Sequence, residues 1–169
     1  QWQHTAWTGE PETTHQMNAY ASATCATDGE VVVAFFGNGG LHGYDLAGKQ
    51  LWSRDLGTFE GPWGTAASPI IVGNLVIQNC DAEDKAAIIG LDKLTGKTAW
   101  ETPREKLRGW STPLAVQTTS RTEIVVNGEH GVNAYDSKTG KELWFCKCDR
   151  GRGTPTVTPY NDMLIAVAG

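Results

Sequence analysis

The sequence lacks the features that mark several large classes of protein. Basic residues are not in excess, since 14 Lys and Arg stand against 19 Asp and Glu, and nucleic-acid binders usually carry a basic face. No apolar run reaches about 18 residues, the length that a membrane-spanning helix needs, and no signal peptide is visible. We therefore expect neither a nucleic-acid partner nor a membrane span.

Motifs of the common catalytic sites are also missing. The sequence contains no Gly-x-Ser-x-Gly elbow, no phosphate-binding glycine loop and no His-Glu-x-x-His pair. The acidic residues Asp81, Glu83 and Asp84 offer oxygen ligands for Ca²⁺, but they lack the spacing of an EF-hand, so a solvated loop is favoured. No catalytic residue and no metal site is predicted.

Cysteine is scarce and its spacing is uninformative. Cys25, Cys80, Cys146 and Cys148 form no Cys-x-x-Cys pair, and a zinc site would need two further ligands near the last two. In a strand, Cys146 and Cys148 would point to the same side, and a disulfide between them would be strained. We predict that the four thiols act as small packing residues.

Turn-forming residues and an internal repeat dominate what is present. Twenty Gly and seven Pro in 169 residues favour many turns and short strands. One segment type recurs three times, and its glycine and its tryptophan both recur after 48 and then 44 residues. The three copies are 43–52, 90–100 and 134–144. Such a period is typical of propeller blades or of helical repeats.

The strands within each repeat distinguish these two architectures. Short β-branched or aromatic runs, such as Val31–Phe36 and Ile124–Val126, lie between Gly, Asn, Asp or Pro residues. A Ser/Thr-Pro pair precedes an apolar run at Ser68, Thr112 and Thr154, and Thr24 stands in the matching place. The sequence therefore predicts an all-β fold, a β-propeller of four-stranded antiparallel blades whose innermost strand starts at this pair.

The predicted blades account for most of the chain. Three full blades are expected at 20–57, 65–104 and 110–148, with the last strand of a preceding blade at 1–9 around Trp7 and the start of a further blade at 153–169. In each repeat we expect the Asp to accept hydrogen bonds from the backbone N–H groups of a turn, and the Gly to take the positive-φ position of that turn. The Trp is expected to pack as a wedge between neighbouring blades. The alternative for the Trp is stacking on a sugar. These residues are Asp45, Gly48, Trp52, Asp92, Gly96, Trp100, Asp136, Gly140 and Trp144.

The repeated segment Ala/Gly-x-Asp-x-x-Thr-Gly-Lys-x-x-Trp resembles the tryptophan-docking motif of quinoprotein-type propellers. It is nearly complete at Gly90–Trp100 and Ala134–Trp144, whereas the first copy is one turn residue shorter and has Ala47 in place of Thr. The chain thus resembles the pyrroloquinoline-quinone-like (PQQ-like) repeat family, which includes quinoprotein alcohol dehydrogenases and the outer-membrane assembly lipoprotein BamB. It is most similar to secreted bacterial PQQ-like repeat proteins.

The resemblance carries further expectations. Family members close into eight blades, so this chain would be a fragment of a ring, would complete one with a second copy, or would form a small four-bladed ring with a mixed blade. The implied role is a non-catalytic binding or scaffold module in the periplasm or outside the cell, without a cofactor. The alternative is a fragment of a PQQ- and Ca²⁺-dependent dehydrogenase for alcohols or sugars, although the adjacent cysteine pair common in such enzymes is absent.

Propeller topology also predicts where a ligand would bind. The residues just before each innermost strand crowd the axis, and here they are Tyr20, Trp63, Trp110 and Arg152. Such an aromatic funnel suits a small molecule, a peptide or a partner protein on the loop-bearing side. Trp63 and Trp110 would also be the candidates for the floor under a quinone. The alternative is that these aromatic side chains only cap the tops of the blades.

Overall fold

The computed structural model describes residues 1–20, 22–148 and 151–167, and the ordered segments are almost all β-strands. The first sheet contains β1 (Ala26–Thr27), β2 (Val31–Phe35), β3 (Leu41–Asp45) and β4 (Gln50–Arg54). The second contains β5 (Ile70–Val72), β6 (Leu75–Asn79), β7 (Ala87–Asp92) and β8 (Thr98–Pro103). The third contains β9 (Leu114–Gln117), β10 (Thr122–Asn127), β11 (Gly131–Asp136) and β12 (Glu142–Lys147). A two-stranded sheet follows, with β13 (Thr158–Tyr160) and β14 (Met163–Ile165).

Each four-stranded sheet is an antiparallel meander in which neighbours in sequence are neighbours in space. The predicted all-β class with four-stranded antiparallel blades is therefore confirmed. One short 3₁₀ helix, Gly37–Gly39, interrupts the connection between β2 and β3. The stretch from Ala82 to Ala87, which has the composition of a helix, is a loop that leads into β7, because the repeat places it between two strands.

The hydrophobic core lies between successive sheets. Side chains of the first and second sheets form one cluster, and those of the second and third form another. Because each sheet presents apolar residues on both faces, it needs a neighbour on each side, as in a propeller. The fully buried members include Val31, Leu41, Val76, Ile77, Ile88, Leu91, Ile124 and Val126.

A hydrogen-bonded ladder links the starts of the innermost strands. The backbone N–H of Thr24 donates to Oγ of Ser68 at 2.9 Å, and the N–H of Ser68 donates to Oγ1 of Thr112 at 3.0 Å. Each hydroxyl thus accepts from the preceding blade, while the following proline has no N–H that would need an acceptor. The sequence showed the recurrence of this Ser/Thr-Pro pair, and the structure shows that its hydroxyl joins adjacent blades.

The repeated turns follow the predicted chemistry. Oδ1 of Asp92 accepts from the N–H and the hydroxyl of Thr95 at 2.8 and 2.7 Å, and Oδ1 of Asp136 makes the same pair of contacts with Thr139, both at 2.9 Å. In the shorter first copy, Oδ1 of Asp45 accepts from the N–H of Lys49 at 2.9 Å. The turn glycines Gly48, Gly96 and Gly140 have φ values of 89°, 67° and 69°, which favour glycine.

Two of the repeated tryptophans lie between sheets. A Cβ built on Gly96, in the next sheet, would lie 2.7 Å from the Trp52 ring, and one built on Gly43, in its own sheet, would lie 2.3 Å away. The indole N–H of Trp52 donates to the carbonyl of Lys93 at 2.8 Å. The ring is therefore sandwiched between two residues that must both be glycine.

Trp100 repeats this arrangement one blade further on. Its ring lies between Gly90 and Gly140, and its indole N–H donates to the carbonyl of Ser137 at 3.1 Å. Trp144 differs, because it is half-buried and its indole N–H donates to the carboxylate of Glu123 in its own sheet at 2.8 Å.

The N-terminal segment corrects one sequence prediction. Residues 1–9 form no strand, although all of them are described. The tryptophan that lies over the first turn glycine is Trp2 rather than Trp7, since a Cβ on Gly48 would meet the Trp2 ring at 2.4 Å. Spacing along the chain pointed to Trp7 because the connection to the first blade is longer than the connections between later blades.

The cysteines are all free, and only some of them are packing residues. Cys80 is buried, which raises the pKa of its thiol. Cys25 and Cys146 are exposed and Cys148 is half-buried, so the predicted packing role is wrong for the two exposed thiols.

Candidate binding surface on the loop face

Antiparallel order places two sets of connections on the same side of the sheets. Because neighbouring strands run in opposite directions, the loops between blades and the connections between second and third strands must meet at one edge, opposite the Asp-Gly turns. We call this side the loop face. It contains residues 36–40, 55–69, 80–86, 104–113, 128–130 and 151–157, together with residues 7–20 before β1, where Trp7 lies against Gly39 and Glu12 binds Thr65.

Four adjoining cavities cross the loop face. The first, the polar cavity beside Arg104 and His130, has a volume of about 290 Å³, and the second is small, at about 20 Å³. The third, beside Asn38 and Phe59, and the fourth, beside Trp7 and Tyr20, have volumes of about 520 and 310 Å³. The walls shared by successive cavities are Asp81 and Arg108, then Phe59, Glu60 and Gly61, then Pro11 and Glu12. Shared walls make the four an adjoining series.

Three of the four predicted funnel residues belong to neighbouring loops in the structure. The guanidinium carbon of Arg152 lies 4.9 Å from the centre of the Trp63 ring, in a cation–π contact. The His15 ring stacks on Trp63 with the ring centres 4.4 Å apart. The indole N–H of Trp110 donates to the carbonyl of Gly64 at 2.8 Å. These contacts join loops that precede different blades.

The fourth funnel residue lies elsewhere. Tyr20 is 58% exposed and lines the fourth cavity with Trp7 and Phe36 instead of joining Trp63. The predicted set of four is therefore split into two aromatic groups. The reason is local, because the segment before β1 turns at His15–Asn18, where the N–H of Asn18 donates to the carbonyl of His15 at 2.8 Å.

A buried ion pair forms one wall of the polar cavity. Arg104 donates from Nε and Nη2 to the two carboxylate oxygens of Asp81 at 2.7 and 3.1 Å, and both side chains are less than a tenth exposed. Arg104 also donates to the hydroxyl of Tyr135 and, at 3.3 Å, to Oδ1 of Asn133. The pair belongs to the second sheet and these acceptors to the third, so the guanidinium connects two blades.

Burial sets the electrostatics of this pair. Desolvation raises the pKa of the Asp81 carboxyl, and the neighbouring guanidinium acts in the opposite direction. Desolvation would also lower the pKa of Arg104, but the Asp81 charge and its hydrogen bonds outweigh that effect and raise it. The two-point geometry is that of an ion pair, which we assign to the charged form of both groups.

The other acidic residues of the loop at 81–84 also have partners. Glu83 pairs with Arg108, and Oδ1 of Asp84 accepts from the N–H of Glu60 at 3.0 Å. The three acids therefore point to three different partners instead of converging. Across the described ranges, no group of three or more His, Cys, Asp or Glu side chains has a geometry suited to a metal ion.

Glu12 is a residue that sequence reasoning missed. It is only 8% exposed, although it lies in a segment without regular secondary structure. Its Oε1 accepts from both the N–H and the hydroxyl of Thr65, at 2.8 and 2.6 Å. Nothing in a Gly-Glu-Pro-Glu-Thr stretch indicates burial, because the burial arises from packing against a loop more than 50 residues away.

Comparison with known proteins identifies the family. The family model described as outer membrane protein assembly factor BamB matches residues 2–164, nearly the whole chain. The chain belongs to this family. The resemblance to PQQ-like repeat proteins that the repeated segment indicated is thereby confirmed.

Individual relatives agree with this assignment. Quinoprotein ethanol dehydrogenase from Pseudomonas aeruginosa is 27% identical over 111 residues, which are 66% of this chain and 17% of that protein. The structure of BamB from Moraxella catarrhalis is 27% identical with a TM-score of 0.60, over 75% of this chain and 36% of that one. A europium-containing methanol dehydrogenase, 12% identical with a TM-score of 0.64 over 79% and 34% of the two chains, shares the fold. The chain thus spans about a third or less of the length of these relatives.

The described residues do not fit a site for PQQ and Ca²⁺. The Trp63 ring is in contact with both His15 and Arg152, and no group of three or more described His, Cys, Asp or Glu side chains could hold a metal ion. Trp110 is held by its bond to the Gly64 carbonyl. We therefore derive no quinone chemistry from these residues. Separately, none of the helices in the described part of the chain is long and apolar enough to cross a bilayer.

Proposed function

We propose that this chain is a non-catalytic propeller module that binds a protein or peptide along its loop face, in the cell envelope or outside the cell. The observation that carries the proposal is the series of four adjoining cavities across that face. A series of adjoining depressions suits an extended chain better than a compact small molecule, because side chains spaced along such a chain can enter the three larger ones. The description of the family as an outer membrane protein assembly factor supports a location in the envelope.

The pairing of charged side chains on the loop face favours a scaffold over an enzyme. Asp81 and Arg104 neutralise each other, Arg108 pairs with Glu83, and His130 lies 3.2 Å from Glu105. Groups held in such pairs stabilise the arrangement of the loops. A general acid or base must instead present a free oxygen or nitrogen to a substrate atom, whereas both carboxylate oxygens of Asp81 are bound by Arg104.

Exposed aromatic side chains supply the contact area that binding requires. Trp7, Tyr20 and Phe36 are 41%, 58% and 36% exposed on the loop face. Aromatic residues are enriched at protein interfaces because they bury a large area at a small cost in conformational entropy. The predicted docking role of the repeated tryptophans complements this surface, since indoles held between glycines keep adjacent blades in a fixed relation.

Photocrosslinking in the native host tests the proposal. A photoreactive phenylalanine analogue replaces Glu60, an exposed residue that lines the second and third cavities, or, as the matched control, Leu94, which is exposed in a turn on the opposite face. We expect a discrete protein adduct at position 60 and none at position 94. Adducts only at position 94, or PQQ-dependent dye reduction by the purified full-length protein, would overturn the proposal in favour of another surface or of a dehydrogenase.

A further inference from the structure

Glu12 presents an unusual electrostatic situation. Its Oε1 is satisfied by Thr65, but its buried Oε2 has no hydrogen-bond partner. No ion pair to this carboxylate is formed by any described Lys, Arg or His side chain. A Cβ on Gly37 would lie 2.5 Å from Oε2, so the backbone of the 3₁₀ helix packs directly against this oxygen.

A buried carboxylate with one unpaired oxygen is unfavourable unless another group offsets its charge. Moving a carboxylate out of water is costly when no cation or full set of donors replaces the solvent. Buried polar atoms in folded proteins nearly always have a partner, and an exception calls for a specific explanation such as a bound ion. A positively charged group in the cavity that Glu12 lines would offset the charge of this carboxylate.

The side chains around Glu12 indicate what kind of cation fits. Glu12 is part of the wall of the fourth cavity, about 310 Å³ in volume, which is otherwise lined by His4, Trp7, Tyr20 and Phe36 and by small side chains. Aromatic rings attract ammonium and guanidinium groups through their electron-rich faces. A hard metal ion would need six or more oxygen ligands, which this wall does not offer.

We propose that this aromatic pocket binds the side chain of a lysine or arginine from a peptide partner. The aliphatic part of the side chain packs between Trp7 and Tyr20, and the charged end approaches the Glu12 carboxylate. The net charge of −5 favours a basic partner over an acidic one. The inference rests on the proposed function, because it names the chemistry of the partner at one end of the same series of cavities.

Titration with blocked peptides tests this pocket. The probe is a tripeptide with a central lysine, compared with the same peptide carrying acetyl-lysine or norleucine, and binding is followed by amide chemical shifts of the full-length protein. We expect the lysine peptide to bind at least about tenfold more tightly than either neutral peptide, since neither neutral peptide has a charge that the Glu12 carboxylate and the aromatic rings can attract. Equal affinity for the three peptides would overturn the proposal.

Substitutions assign the effect to the pocket. Glu12→Gln keeps the shape of the side chain and removes its charge, so we expect about a tenfold loss of affinity for the lysine peptide. Glu101→Gln removes an exposed carboxylate on β8, outside the loop face, and should change nothing. An unchanged affinity in folded Glu12→Gln protein would overturn the proposal.

A second variant guards against misfolding of the first. Tyr20 is largely exposed, so Tyr20→Ala should leave the thermal unfolding unchanged while weakening the lysine peptide about threefold through the lost cation–π contact. If Glu12→Gln does not fold, an unchanged affinity in Tyr20→Ala overturns the proposal. The proposal would also be overturned, in favour of a metal site, if Ca²⁺ bound in a Glu12-dependent manner and the lysine peptide did not bind.

The two proposals fail in different ways. A crosslinked adduct at position 60 without lysine selectivity would leave the scaffold role in place and remove only the cation pocket. Loss of both the adduct and the peptide binding would remove the loop face as a binding surface altogether.

Discussion

Trp2 lies over the turn glycine Gly48, and its indole N–H donates to the carbonyl of Leu46 at 3.1 Å. The same relation joins Trp52 to Gly96 and Trp100 to Gly140, one blade further each time. The turn of each blade therefore receives a tryptophan from the chain segment before it. The N-terminal segment takes part in this pattern even though it forms no strand.

Replacing a turn glycine beneath a tryptophan should be more costly than replacing one elsewhere. Gly140→Ala would place a Cβ 2.3 Å from the Trp100 ring at a φ of 69°. We expect a loss of about 1–2 kcal/mol from the backbone conformation and about 1–3 kcal/mol more from the displaced ring. Urea unfolding followed by tryptophan fluorescence measures both contributions together.

Gly73 provides the matched control for this substitution. Its φ is 59°, and a Cβ there would meet nothing within 4 Å, so Gly73→Ala should show only the backbone contribution. Equal losses for Gly73→Ala and Gly140→Ala would mean that the indole does not require the glycine beneath it.

Replacing a tryptophan between blades should cost more unfolding free energy than replacing a tryptophan on the loop face. Trp100 is 8% exposed between two sheets, so Trp100→Ala should cost about 3–5 kcal/mol of unfolding free energy. Trp110 is only half-buried on the loop face, and Trp110→Ala should cost about 1–2 kcal/mol. Midpoints of urea unfolding give the comparison, and similar shifts for the two variants would contradict the assignment of Trp100 as the wedge.

The buried pair on the loop face should behave as a unit. Arg104→Met leaves the Asp81 charge buried without its partner, so we expect a loss of about 3–5 kcal/mol. The double variant with Asp81→Asn should lose much less than the sum of the single losses, because it removes both charges together. Urea unfolding of the four proteins completes the cycle.

An exposed pair in the same cavity is the control for this cycle. Glu105 and His130 lie 3.2 Å apart with both side chains about half exposed or more, so Glu105→Gln should cost less than about 1 kcal/mol. Additive effects of the Arg104 and Asp81 substitutions would show that their contact contributes no coupling energy.

Repetition explains how much of the fold the sequence could predict. Copies of one segment at a nearly constant spacing identified the strands, the positive-φ glycines and the wedge at Trp52 and Trp100, since each copy supports the others. Where the repeat is broken, at the N-terminal segment, the prediction chose Trp7 in place of Trp2. An irregular connection has no second copy that could fix its register.

The candidate site was harder to predict than the fold for a related reason. Trp63 and Arg152 precede innermost strands, so topology alone indicated that they could meet near the axis. Tyr20 and Glu12 lie in an irregular segment whose path depends on contacts with distant loops, such as the bonds of Glu12 to Thr65. Such contacts leave no periodic signal, and the aromatic pocket became visible only in three dimensions.

Acid should weaken the hairpin turns in a defined direction. The hydroxyl of Thr95, and then its N–H, donate to the Asp92 carboxylate and lower its pKa in the folded state. A lowered folded pKa means that the contribution to stability is present above the unfolded value of about 3.9 and is lost as the pH falls through the folded value. Asp92→Asn keeps an acceptor oxygen but removes the charge, so it should cost less than about 1 kcal/mol at pH 6 in this solvent-accessible turn.

The difference between Asp92→Asn and the natural protein should therefore shrink between pH 5 and pH 2.5, as the natural carboxyl becomes protonated. Urea unfolding of the two proteins across this range measures the difference. A difference that stays constant with pH would mean that Thr95 stabilises the turn through the geometry of its hydrogen bonds alone, because the charge of Asp92 would then contribute nothing.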